Sequence, residues 1–128
     1  MKYMLLIYLD ENGLSEAERE RCYVESTQFA HELHASKQYL AASPLHPTST
    51  ATSVRMRDGK KLVTDGPFAE TREQLGGYFL VDAKDLDEAI TIAERIPAGK
   101  WGTVEIRPVV EIPNLPRHVD TDAHGSTY

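Results

Sequence analysis

The sequence predicts one α+β domain, a split βαβ pattern with an added β-hairpin. Three observations predict it. Tyr3–Leu9 and Tyr78–Val81 are apolar at consecutive positions rather than at every second one, which marks short strands covered on both faces. Ser15 with Glu18, and Asp85 with Glu88, each have the spacing of a capping box at the head of a helical run. Asp58-Gly59 lies between two strand-like segments, a dipeptide suited to a two-residue hairpin turn. The resulting order is strand, helix, strand, hairpin, strand, helix, strand.

Each element has a local reason. The run 3–9 is too short for a helix and is flanked by Lys2 and Asp10. The first helix is expected from Ser15 to about Ser36, with Cys22, Ser26, Phe29, Ala30 and Leu33 spaced by three and four as its core stripe. Residues 38–45 read as a strand, which Pro44 and Pro47 end at a sheet edge or a bulge. Residues 50–57 alternate, and 61–64 return after the hairpin turn. Residues 77–82 form the second two-faced strand. The second helix has Leu86, Ala89, Ile90, Ala93 and Ile96 as its stripe and is stopped by Pro97 and Gly99. The last strand is expected over 103–112, with Val104, Ile106, Val110 and Ile112 facing the core and Glu105, Arg107 and Glu111 facing away. Residues 113–128 are polar and hold Pro113 and Pro116, so they read as an extended or disordered tail.

Composition narrows the function classes. The chain has 128 residues, enough for one core, and a formal charge of −6 that disfavours general nucleic-acid binding. A single cysteine, Cys22, forbids an internal disulfide and fits a cytoplasmic setting. No apolar run reaches the roughly 18 residues of a membrane span. Both helices would cover one face of the sheet and leave an apolar face opposite. A homodimer through that sheet face is therefore expected.

The most distinctive stretch runs from Asp65 to Tyr78: Asp65-Gly66-Pro67-Phe68-Ala69-Glu70-Thr71-Arg72-Glu73-Gln74-Leu75-Gly76-Gly77-Tyr78. It resembles the signature of the YCII-related family, in the branch named for its Asp-Gly-Pro-Phe motif. Met1–Tyr8 and Val104–Pro108 resemble the same branch, and the likeness covers residues 1–112. The resemblance implies a small ferredoxin-like domain of the dimeric α-β barrel type. It further implies relatives with dehydrochlorinase-like and lactone-processing activities, and genes placed beside extracytoplasmic-function sigma factors. A His–Asp pair described for other members has no counterpart in this chain.

Two residues are candidates for acid–base work. Asp65 is presented by a rigid Gly-Pro turn, as a catalytic carboxylate needs, or else it caps its own loop. His46, between Leu45 and Pro47 at a fixed bend, is a general base or a plain turn histidine. Arg55 and Arg107 sit on strands and offer an anion clamp, with cross-strand pairing of Glu105 with an arginine as the alternative; for Arg107, Glu105 is also a same-face neighbour two residues away. Phe68, an apolar plug in a polar loop, Tyr78, a strand residue, and Trp101, a ring lining a pocket or a dimer seam, are further candidates for substrate binding. His31 and His34 have i,i+3 spacing but no accompanying ligand motif, so neither a metal nor a cofactor is expected. Two functions remain open. One is a cofactor-free enzyme moving a proton, or eliminating a group, on a small polar anion. The other is a non-catalytic ligand-binding dimer tied to sigma-factor signalling.

Overall fold

The computed structural model describes residues 1–116. Its elements are β1 (Lys2–Leu9), α1 (Glu16–Ala35), β2 (Tyr39–Pro44), β3 (Thr52–Arg57), β4 (Lys60–Asp65), β5 (Gln74–Asp82), α2 (Leu86–Glu94) and β6 (Gly102–Pro108). Short 3-10 turns at Glu11–Gly13, Thr48–Thr50 and Pro97–Trp101 sit at the joints. The main sheet is antiparallel, in the order β2-β5-β1-β6. From β1, α1 carries the chain past β5 to the edge strand β2. From β5, α2 carries it past β1 to the other edge, β6. The two central strands are thus β1 and β5, the two segments whose sequence is apolar on both faces.

The expected ferredoxin-like barrel of the dimeric α-β type needs correction. The sheet is open, with β2 and β6 as its edges, and the hairpin β3–β4 forms a two-stranded sheet of its own. Four strands are too few to close, since a small barrel takes about eight. Pro44 ends β2, and the Thr48–Thr50 turn then leads the chain away before β3 begins. What stands is a mixed α+β fold around a central antiparallel sheet.

The core lies between one sheet face and the helices. Tyr3, Leu5 and Ile7 of β1 and Phe79 and Val81 of β5 pack against Cys22, Phe29 and Leu33 of α1 and Ala89 and Ile92 of α2. Phe29 and Phe79 meet as tilted rings 5.6 Å apart. Burial pushes the Cys22 thiol up from its ordinary pKa, so it behaves as a core side chain rather than a nucleophile. The alternate residues Met4, Leu6, Tyr8, Tyr78 and Leu80 are half-buried on the opposite face.

Two expected core stripes are shorter in the structure. Ala89, Ile92 and Ile96 are buried, whereas Leu86 and Ile90 are exposed on the flank of the nine-residue α2. Val110 and Ile112 are 79 % and 58 % exposed. Pro108 has no N–H for the ladder, and the last bond to β1 is from the Val109 N–H to the Lys2 carbonyl. Of the tail expected over 113–128, residues 117–128 lie outside the described residues.

The α1 capping box forms as its spacing predicts. Ser15 Oγ accepts from the Glu18 N–H at 3.1 Å, and the Glu18 carboxylate accepts from the Ser15 N–H at 2.8 Å. That backbone bond, chiefly, holds the Glu18 carboxyl below its ordinary pKa. Ser15→Ala is therefore expected to cost about 1 kcal/mol at neutral pH. A depressed folded pKa contributes stability that is complete above the unfolded value and is lost as pH falls through the folded value. The gap in urea midpoint between wild type and Glu18→Gln, which removes the charge that the Ser15 N–H binds, should accordingly narrow on acidification. A gap that widens at low pH would contradict this account of the cap.

Candidate functional site

Small side chains open a groove beside the core. Ala41, Ala42 and Ser43 of β2 lie next to Gly76 and Gly77 of β5, so little side-chain bulk fills the space under α1. The space is about 1300 Å³. Gly77 must be glycine here, because a Cβ would stand 2.9 Å from the Ser43 carbonyl oxygen and 3.2 Å from Pro44 Cα. Tyr23, Ser26, Ala30, His31 and His34 of α1 form one wall, and Leu45, His46 and Pro47 form the rim where β2 ends.

The far end of the groove is held by Glu11. Its carboxylate accepts from the Thr48 N–H at 2.8 Å and from Thr48 Oγ1 at 2.9 Å. Its own N–H donates to Gln74 Oε1, and Arg19 donates to its carbonyl oxygen at 3.0 Å. These bonds fasten the Thr48–Thr50 turn, and so the position of His46, to the end of β1. Arg19 is the one arginine or lysine among the groove's residues, and Glu11 is the one carboxylate. The groove thus offers a fixed cation, three imidazoles and three phenols around an apolar floor. This is the composition of a site for a small polar molecule with an apolar body.

The residues singled out in the sequence are distributed unevenly. His46 lines the groove, as do His31 and His34, which the sequence reads only as helix-surface histidines; Tyr78 borders it from β5, although strand alternation puts this residue on the sheet face opposite the helices. Asp65 ends β4 in an exposed position outside the groove, beside the bond from the Gly66 N–H to the Ala51 carbonyl. Arg55 is exposed on β3, and Phe68, read as a plug, is 84 % exposed and fills nothing in the described chain. Trp101 is half-buried at the end of its 3-10 turn, away from the groove.

Arg107 stands on the open sheet face with Glu105, 3.7 Å from its carboxylate. Such an exposed pair contributes well under 1 kcal/mol. Tyr8 joins them, its phenol pushed up in pKa by desolvation first and then by the Glu105 carboxylate. Arg19 and Glu11 are the charged groove residues that the sequence does not single out. Among the described residues no group of three or more His, Cys, Asp or Glu is placed to hold a metal ion, and no helix is long and apolar enough to cross a membrane.

The family model for the YCII-related domain matches residues 1–113. The uncharacterized protein R00369 of Rhizobium meliloti (strain 1021) is 36% identical over 118 residues, covering 85% of this chain and 92% of its own. Among solved structures, 5-chloro-2-hydroxyhydroquinone dehydrochlorinase of Burkholderia phenoliruptrix AC1100, in complex with 2,5-dihydroxybenzoquinone, superposes with a TM-score of 0.52. It is 14% identical and covers 86% of this chain and 94% of its own. At that identity the likeness is one of fold.

Proposed function

Because the chain belongs to the YCII-related family, we propose that it is a small cofactor-free enzyme that moves a proton on a small polar anion bound in the groove. The observation that carries this is the placement of His46 and Arg19 around one apolar-floored space of about 1300 Å³. Arg19 anchors the anion, and His46, on the rim, exchanges the proton. His46 is preferred to Asp65 in this role because it lines the groove and Asp65 does not. We further place the chain in the Asp-Gly-Pro-Phe branch on residues 65–68, in a reducing cytoplasmic compartment on its single cysteine, and in a homodimer joined through the open sheet face.

The test uses 2,5-dihydroxybenzoquinone, the molecule bound to the dehydrochlorinase of similar fold. The protein is expected to bind it and to speed exchange of its ring hydrogens for deuterium in heavy water. Arg19→Gln should weaken binding by about tenfold or more, the loss of one charge-assisted hydrogen bond. His46→Asn should leave binding within a few-fold and cut the exchange rate by about 10²–10⁴. Binding with no acceleration would reassign the groove to ligand sensing by a non-catalytic dimer. Binding that neither substitution alters would place the ligand elsewhere and end this assignment.

A further inference from the structure

We propose that the molecule held in the groove is elongated: an anionic head at Arg19 and His46 that carries an unbranched apolar tail, as in a straight-chain carboxylate. The inference rests on the reading of Arg19 and His46 above and specifies the apolar body that the anion carries.

Length is the first argument. Arg19, Tyr23, Ser26, Ala30 and His34 line the groove at spacings of four, three, four and four, so it follows one stripe of α1. From Arg19 to His34 a helix rises about 22 Å. The wall from β2 is of similar length, since Tyr39–Pro44 covers about 17 Å before the chain reaches His46. The ends of the two walls coincide. At one end Arg19 and the Thr48 turn both bond Glu11. At the other the His34 and Tyr39 rings meet edge to face, 6.3 Å between centroids. A small anion at Arg19 fills one end of the 1300 Å³ and leaves the remainder to water.

The chemistry along that length is the second argument. Formal charge is confined to the end with Arg19 and Glu11, and the Glu11 carboxylate is turned to Thr48. The middle is walled by Ala30, Ala41 and Ala42 together with three hydroxyls that bond within the chain. Thr27 Oγ1 donates to the Tyr23 carbonyl at 2.8 Å, Ser43 Oγ donates to the Pro44 carbonyl at 3.0 Å, and Ser26 is hydrogen-bonded with the Cys22 thiol. A peptide's amides would lose water there without gaining a side-chain donor, whereas methylenes lose nothing. Tyr23 and Leu45 are 43 % and 44 % exposed, apolar surface that a tail in the groove takes out of water.

The test is a series of straight-chain carboxylates from hexanoate to stearate, kept below their micelle concentrations and titrated into the full chain. Affinity is expected to rise about fourfold per methylene. The rise should stop at about 13–17 carbons, where a chain advancing about 1.3 Å per carbon reaches the His34–Tyr39 pair. Arg19→Gln should weaken every length by the same factor. Ala30→Leu adds bulk halfway along the groove at a helix position that tolerates it. It should leave hexanoate unchanged and weaken dodecanoate about tenfold or more, with the circular dichroism spectrum unchanged. Tyr39→Ala should move the length limit upward. Hexanoate and dodecanoate binding alike, both through Arg19, would overturn the tail and leave the small-anion reading standing. A length dependence that Ala30→Leu shortens but Arg19→Gln does not touch would refute the head at Arg19, and with it that reading, while upholding the tail. A length dependence that neither Ala30→Leu nor Tyr39→Ala alters would put the chain on another apolar surface and overturn the proposal. An acidic peptide that displaces dodecanoate at equal concentration would assign the groove to protein recognition and overturn it as well.

Discussion

Leu5→Ala is expected to lower the unfolding free energy by about 2–5 kcal/mol, in the upper part of that range. Leu5 is fully buried on the central strand β1, between Phe79 of β5 and Ile106 of β6 in the ladder. Backbone pairing on both sides fixes the distance between these strands, so the sheet has little room to collapse into the space left by the lost methyl groups. Above it, Phe29 and Leu33 are already committed to the same core. The midpoint of urea unfolding should fall with the slope unchanged, since the folded and unfolded surfaces are otherwise alike. Leu6→Ala is the informative control. Leu6 is the next residue but points to the half-buried opposite face. It should cost distinctly less stability and instead weaken self-association. Equal losses at Leu5 and Leu6 would mean that the two sheet faces are packed alike within one chain.

That contrast shows which parts of the fold are legible in the sequence. The N-caps at Ser15 and Asp85 are local and both form, but only Ser15 completes its box: Asp85 accepts from the Glu88 N–H, while the Glu88 carboxylate accepts from the Lys84 N–H instead of that of Asp85. The Asp58-Gly59 turn is equally local. Both residues have positive φ, 52° and 75°, as a two-residue hairpin of the favoured kind demands. The consecutive apolar runs correctly mark β1 and β5 as strands, because residues on both faces of a central strand leave water. The start of β5 is less legible. It begins at Gln74, three residues before the first expected strand residue, because Gln74 pairs with Leu9 and its side chain binds the Thr71 carbonyl and the Glu11 N–H. Those partners are distant in sequence or lie in a loop without a pattern. The closed barrel was carried by family likeness, and the strand order contradicts it.

The groove is hardest to read in a sequence because it is made by missing bulk. Ala41-Ala42-Ser43 and Gly76-Gly77 are unremarkable alone, and only the β2–β5 pairing sets them side by side. His46 stands out because prolines fix the chain around it. Arg19 carries no such mark: it is one of several charged residues on the first turns of α1, and its role follows from the bond to the Glu11 carbonyl. Asp65, Arg55 and Phe68 attract notice through costly turn chemistry and strand charge. In the described chain that chemistry serves the hairpin and its connecting loop rather than the groove.

Gly102→Ala is expected to be the most disruptive methyl addition among the described glycines, costing about 3 kcal/mol, the upper end of what overpacking does. Gly102 opens β6 directly after the Pro97–Trp101 turn and pairs with Leu9. Its φ of −171° is ordinary extended backbone, so strain in the residue itself is not the reason. A Cβ there would be driven into the Tyr8 carbonyl oxygen and would lie 2.9 Å from Leu9 Cα. Both obstacles are backbone of the neighbouring strand and cannot rotate aside. Relief requires β6 to part from β1 at this end, which would also move Thr103 and Glu105, the residues beside Tyr8 on the open face. Hydrogen exchange should therefore speed up first at Thr103, Tyr8 and Leu9, together with a lower urea midpoint. Gly76→Ala provides the comparison. Its Cβ would meet only the end of the Leu9 side chain, at 3.5–3.8 Å, an ordinary contact. It should fold with nearly wild-type stability. If Gly102→Ala proved as mild as Gly76→Ala, the close approach of β6 to β1 would not exist in solution.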